Sequence, residues 1–206
     1  MSKDLHEKAL AYHQEGKPGK LDVTSHKKLD NDQDLSLAYS PGVAAPVREI
    51  VKDQSNVNQY TIKGNLVAVI TDGSAVLGLG NVGPLAAKPV MEGKAVLFKY
   101  FADINAFNIE LDTQDVDEIV KTIKNIAPTF GGINLEDISA PRCFEIERRL
   151  IDELDIPVFH DDQHGTAIIV AAGLLNALEI QGKSVSSAKI VVAGGGSAGI
   201  ATLDLL

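Results

Sequence analysis

The chain has 206 residues, 45% hydrophobic and 23% charged, and its 28 acidic against 19 basic side chains give a net charge of −9. That length can bury a sizeable core, while the acidic balance disfavours nonspecific nucleic-acid or anionic-membrane partners and makes cations plausible ligands. The single cysteine, Cys143, excludes an internal disulfide and a thiolate metal cluster and fits a reducing compartment.

The opening MSKDLHEKAL has no apolar signal region, and the longest apolar stretch, 168–175, is too short to span a bilayer. A soluble, cytoplasmic protein is expected. Residues 4–14 read as a short helix that ends at Gly16, and 17–36 are polar and turn-rich. LSLAYSPGVAAPVREIV then combines a short apolar run, a Ser-Pro-Gly turn and a helix starting near Pro46.

From residue 64 the texture changes. The run 66–70 is continuously apolar, as in a strand buried on both faces of a parallel sheet. A glycine-rich loop, LGLGNVGP, leads to a helix through 88–100, followed by a strand over 106–111 and a helix over 115–126. Further strands are predicted at 132–135, 156–159 and 189–193, with helices at 143–154 and 165–180. Alternation of strands and helices predicts an α/β architecture with largely parallel sheets.

Five features are candidates for chemistry. Gly194, Gly196 and Gly199 have the G-x-G-x-x-G spacing between a predicted strand and an apolar helix. That context points to a dinucleotide turn, with pyrophosphate at the helix N-terminus; a plain flexible turn is the alternative. Glu136-Asp137 and Asp161-Asp162 both follow predicted strands, and in α/β sheets ligands gather beyond the carboxyl ends of strands. Convergent carboxylates without thiolates suit a hard cation, Mg²⁺ or Mn²⁺; the bland reading is two solvated turns. His160 and His164 flank the second pair as ligands or as packing residues. Lys94, on an otherwise apolar helix, is either a snorkelling side chain or a base with a pKa lowered by burial and a nearby cation. Tyr39 precedes a turn, and the ordinary reading is a core tyrosine with its hydroxyl bonded. LGLGNVG offers a backbone nest for a carboxylate or is simply a tight connection.

SLAYSPGVA, TDGSAVLGLGNVGPLAAKPVMEGKAVLFK, INLEDI, FHDDQHGTA and GGGSAG, in this order, resemble the malic enzymes, particularly the compact bacterial type, from about residue 15 onward. The resemblance implies an N-terminal malic-enzyme-type α/β domain over 1–157 and an incomplete Rossmann-type NAD(P)-binding domain over 158–206. It also implies oxidative decarboxylation of L-malate to pyruvate and CO₂ with reduction of NAD or NADP, dependent on Mg²⁺ or Mn²⁺. Tyr39 takes the place of the general acid and Lys94 that of the general base. Glu136, Asp137 and Asp162 match the metal ligands, with Asp161 a catalytic carboxylate beside them. Gly194, Gly195, Gly196, Ser197, Ala198 and Gly199 match the cofactor-binding turn. The partners implied are the small-molecule substrate and a second copy, as a homodimer or higher homo-oligomer, with no nucleic acid or membrane. Larger relatives carry an arginine just before LGLG, where this chain has Ala75-Val76. The chain stops at Leu206, short of the acidic residue expected about twenty positions past the glycines. A fragment unable to bind NAD(P) well or turn over malate is therefore expected, or else a noncatalytic oligomerisation or metal-binding module. Another two-domain dehydrogenase, of the amino-acid type, stands further off.

Overall fold

A computed structural model describes residues 2–206. The N-terminal arm holds α1 (Lys3–Gln14), α2 (Asp32–Ala38), α3 (Ala44–Lys52) and the short α4 (Val57–Tyr60). Helix α1 starts where the Ser2 hydroxyl accepts the Leu5 N–H, and α2 where the Asn31 side chain accepts the Asp34 N–H. Helix α2 falls inside a stretch that has no clear apolar period, and its Asn-Asp-x-Asp start is the only local signal for it.

The centre of the chain alternates β1 (Leu66–Thr71), α5 (Pro84–Ala102), β2 (Asn105–Glu110), α6 (Val116–Ile126), β3 (Gly132–Leu135), α7 (Arg142–Glu153) and β4 (Val158–His160). The strands form one parallel sheet in the order β2-β1-β3-β4. Side chains alternate across a strand, so β1 sends Ala68 and Ile70 to one face and Val69 and Thr71 to the other. The first face packs on Ile119 and Ile123 of α6 and Ile146 and Leu150 of α7, all fully buried. Helix α5 covers the opposite side, burying Ala87, Met91 and Ala95. It begins four residues before the apolar pattern suggests, because Pro84 presets the first helical φ and Gly83 supplies a left-handed φ of 79°.

A single π-type turn, Asp161–Gly165, leads from β4 into α8 (Thr166–Ile180), and α9 (Ser197–Leu205) follows the glycine turn. Helix α9 packs against both α8 and the Asp161–Gly165 turn. The strand expected over 189–193 does not form: among the described residues nothing pairs with it. A β-strand exists only through its ladder partners, and the segment is solvated, with Val191 84% exposed.

Candidate metal and catalytic site

Strand register assembles the site. Ile70 lies beside Leu135 in the sheet, and Leu135 beside His160. The chain leaves β1, β3 and β4 at the same edge, one residue later in β1 than in β3 and β4, and the next residues are Asp72, Glu136 and Asp161. The Glu136 N–H still donates to the Ile70 carbonyl at 2.9 Å, which holds that side chain at the carboxyl ends of the strands.

Glu136, Asp137 and Asp162 each place a carboxylate oxygen within 4.8 Å of the others. Lys94, reaching over from α5, sets its Nζ 2.5 Å from Asp161 Oδ2 and 3.1 Å from Glu136 Oε1. The Asp137 N–H donates to Asp162 Oδ2 at 2.8 Å, and the Asn134 amide to Glu136 Oε2 at 2.9 Å. Asp137 itself sits at φ 54°, a left-handed conformation that costs energy for a residue with a Cβ. These groups line a cavity of about 650 Å³, closed on one side by Val76 and Leu77 of the glycine-rich loop and on another by Lys20.

One ammonium faces four carboxylates, and the electrostatics follow. Burial pushes Glu136 up to about 7, with Asp162 and Asp161 adding to the push and Lys94 opposing it. Burial and then Asp162 raise Asp137 to about 6, and burial also raises Asp162. Burial alone would pull the Lys94 ammonium down, but its contacts with Asp161 and Glu136 outweigh that, and its pKa is raised. The lysine is thus held charged by the carboxylates beside it. With those carboxylates neutralised by a cation, burial would be the leading influence and would lower its pKa.

The donor set fits a hard divalent cation. Asp137 Oδ2 is buried with no hydrogen-bond partner, an arrangement that is costly unless a ligand completes it. Every candidate donor is a carboxylate oxygen, the ligand type preferred by Mg²⁺ and Mn²⁺.

The histidines do something else. His160 is fully buried, burial lowers its pKa to about 4, and its Nδ1 accepts the Gln163 N–H at 3.4 Å. His164 Nε2 lies 2.9 Å from the Glu147 carboxylate. Both therefore hold the turn that carries Asp161 and Asp162. Gly165 belongs to the same turn, since a Cβ there would fall 2.5 Å from Asp161 Oδ1.

Tyr39 is not brought to the cavity. It caps the end of α2 with 72% of its surface exposed, which also removes the ordinary reading of a buried tyrosine. Of the residues at Gly194–Gly199, Gly194 has a φ of 120°, and a Cβ on Gly199 would meet the Gly194 carbonyl at 2.8 Å. The third glycine is therefore required for close packing. Gly195 and Gly196 have nothing within 4 Å of a Cβ position, so the backbone there is open to a ligand. Ser197 and Ala198 begin α9.

Three features were not picked out in the sequence. Asp72, almost fully buried, holds Arg142 at 2.9 Å and both the hydroxyl and the N–H of Ser74. Lys20 enters the cavity wall because Glu92 accepts its backbone N–H at 2.8 Å. Glu147 was the legible one: it lies in the buried stripe Cys143, Ile146, Glu147, Leu150, where a charge is out of place.

Comparison with known proteins agrees with this architecture. The family model described as "Malic enzyme, N-terminal domain" matches residues 18–151, and "Malic enzyme, NAD binding domain" matches 163–206. The chain is 62% identical over 202 residues to a "Bifunctional malic/malolactic enzyme" of Bacillus subtilis, covering 98% of this chain and 49% of that protein. It is 58% identical over 205 residues to an "NAD-dependent malic enzyme" of Rhizobium meliloti, covering all of this chain and 27% of that one. A crystal structure of malic enzyme from Pyrococcus horikoshii superposes with a TM-score of 0.93 at 54% identity, covering 97% of this chain and 47% of that chain. The chain thus spans between about a quarter and a half of the length of these relatives.

Proposed function

Since the chain belongs to the malic enzyme family, we propose that the protein carrying it converts L-malate to pyruvate and CO₂, reduces NAD or NADP, and depends on Mg²⁺ or Mn²⁺. The observation that carries this reading is the meeting of Lys94 with Glu136 and Asp161 beside a carboxylate cluster that has an unpartnered buried oxygen. Glu136, Asp137 and Asp162 hold the cation. A bound cation would supply Lewis-acid polarisation of the hydroxy acid, and a bound nicotinamide would supply hydride-accepting chemistry.

The chain's own residues do the proton work. Lys94 lies at the edge of the cluster and takes the 2-hydroxyl proton. Neutralising the carboxylates leaves burial as the main influence on its pKa, which frees the amine to act as a base. Asp161 holds that amine in position. Tyr39 returns a proton to C3 once CO₂ has left. It lies outside the cavity, so it acts either after α2 closes or from a second copy in a homodimer or higher homo-oligomer. Gly194 to Gly199, with Gly195, Gly196, Ser197 and Ala198 between them, hold the pyrophosphate at the start of α9. The division of the chain lies near residue 157, with β4 as the element that joins the two parts. The setting is cytoplasmic, which suits the free, buried Cys143.

The test is malate-dependent NAD(P)H formation by the complete protein. It is expected with Mn²⁺ or Mg²⁺, to be abolished by a chelator and to be restored by added metal. Turnover that survives metal removal, or activity on an amino acid in place of malate, would defeat the proposal.

A further inference from the structure

The turn that presents Asp161 and Asp162 is fastened from below by a residue that takes no part in the scheme above. The Glu147 side chain of α7 is 6% exposed and lies beneath the turn. Its Oε1 accepts the backbone N–H of His160 at 2.9 Å, and its Oε2 accepts the Gln163 side-chain amide at 3.0 Å. His164 Nε2 approaches the same carboxylate at 2.9 Å.

These three partners interleave with the two aspartates along the chain: 160 before them, 163 and 164 after. One carboxylate therefore grips the turn before and after the two aspartates, while Asp161 and Asp162 line the cavity. Burying a carboxylate is costly unless its oxygens are matched with donors, and here each oxygen has one or more. The turn also packs against α8 and α9, but its remaining side-chain bonds are of another kind. Asp162 receives the Asp137 N–H, Asp161 receives Lys94, and both of those bonds lie on the cavity side.

We propose that Glu147 is the positioning residue of the site: by fixing His160, Gln163 and His164 it sets where Asp162 stands relative to Glu136 and Asp137, and where Asp161 meets Lys94. This rests on the reading of Glu136, Asp137 and Asp162 as cation ligands. Supports of this kind typically change metal affinity by about 10- to 100-fold when removed.

The experiment compares Glu147→Gln with Leu150→Val in the complete protein. Leu150 is fully buried on the same helix and touches the core rather than the turn, so Leu150→Val is a control for lost stability. Mn²⁺ affinity is measured by following free Mn²⁺ with electron paramagnetic resonance. Glu147→Gln is expected to bind Mn²⁺ about tenfold or more weakly, with Leu150→Val within about twofold of the parent. An affinity for Glu147→Gln within twofold of the parent overturns the proposal. Should Glu147→Gln not fold, His164→Ala removes a half-exposed donor; a loss of about threefold supports the proposal and no change overturns it. If the parent itself takes up no Mn²⁺, the cation reading falls, and hydrogen exchange of amides 160–165 in the metal-free protein decides. Faster exchange there in Glu147→Gln but not in Leu150→Val upholds the positioning role, and equal exchange defeats it.

Discussion

The sheet region and the glycine-turn region are made in opposite ways. Between residues 66 and 165 the site comes from register: β3 and β4, paired in register beside β1, end at the same level and hand their next residues, Glu136 and Asp161, to one cavity. Its supports lie within the chain, from Lys94 on α5 to Glu147 on α7. Between 189 and 199 the motif is obvious to the eye, yet the strand before it has no ladder and Val191 stands 84% exposed. Local pattern identifies the second region and tertiary register creates the first. A motif can be legible before it has the neighbours that give it structure.

Five outcomes would break or sharpen this contrast. The largest is expected for Lys94→Ala in the complete protein: kcat should fall by about 10²- to 10⁴-fold, the usual worth of a positioned acid or base, while Mn²⁺ affinity changes little. A steady-state assay with malate at saturating metal reads this directly, and retained turnover would remove Lys94 from the chemistry.

Asp162→Asn is expected to weaken Mn²⁺ binding by about 100-fold, at or beyond the upper end of what removing a supporting group does. Calorimetric titration would show it, and an unchanged affinity would mean that the three carboxylates do not act together.

The pH dependence of the cluster has a definite sign. Glu136 and Asp137 are raised to about 7 and about 6, so a cation must displace protons at lower pH, and Mn²⁺ affinity should climb from pH 5.5 and level off near 8. The metal-free protein should do the reverse. A carboxyl with a raised folded pKa contributes its stability in the protonated form. That contribution is full below about 4.5, the ordinary value for Glu136, and is lost as the pH rises through 7. Thermal melts at pH 5 and pH 8, with and without Mn²⁺, should therefore show the metal stabilising more at the higher pH. Equal melting shifts at both pH values would contradict it.

The smallest expected effect marks the other side of the contrast. In urea unfolding of the 206-residue chain, Val191→Ala should change stability by less than about 0.5 kcal/mol. Leu150→Ala, in the fully buried core, should cost about 2–5 kcal/mol. A large effect at Val191 would show that the glycine-turn segment is packed after all. Gly199→Ala belongs to the same segment but not to the same scale: its Cβ would press on the Gly194 carbonyl, so it should weaken NAD(P) binding and leave Mn²⁺ binding alone.

Much of this was legible in the residues. The run Leu66 to Ile70 and the stripe Val116, Ile119, Val120, Ile123 announce a buried strand and a one-sided helix, because burial on both faces leaves a short continuous apolar run and burial of one helix face leaves a 3.6 period. The acidic pairs could be named as candidates from their place after strands. Their convergence could not, since it depends on how β1, β3 and β4 align, and register leaves no local mark. Helix α2 was hidden because its capping residues, not an apolar face, define it. The partners of Lys94 are hidden for a related reason: the apolar neighbours along α5 are visible in sequence, whereas Glu136 and Asp161 reach it only in three dimensions. Tyr39 stands exposed, and nothing in its local sequence distinguishes that from a buried position.

The alignment of β1, β3 and β4 has a consequence for how the chain tolerates change. Because the acids meet through strand register, the loop between α7 and β4, residues 154–157, could lengthen without moving either pair. Helix α7 could not, since its Glu147 holds the turn that carries Asp161 and Asp162. A one-residue slip of β3 against β1 would turn Asn134 and Glu136 to the opposite face of the sheet and empty the cavity of its central carboxylate. Length variation should therefore be harmless in that loop and intolerable inside the four residues of Gly132–Leu135.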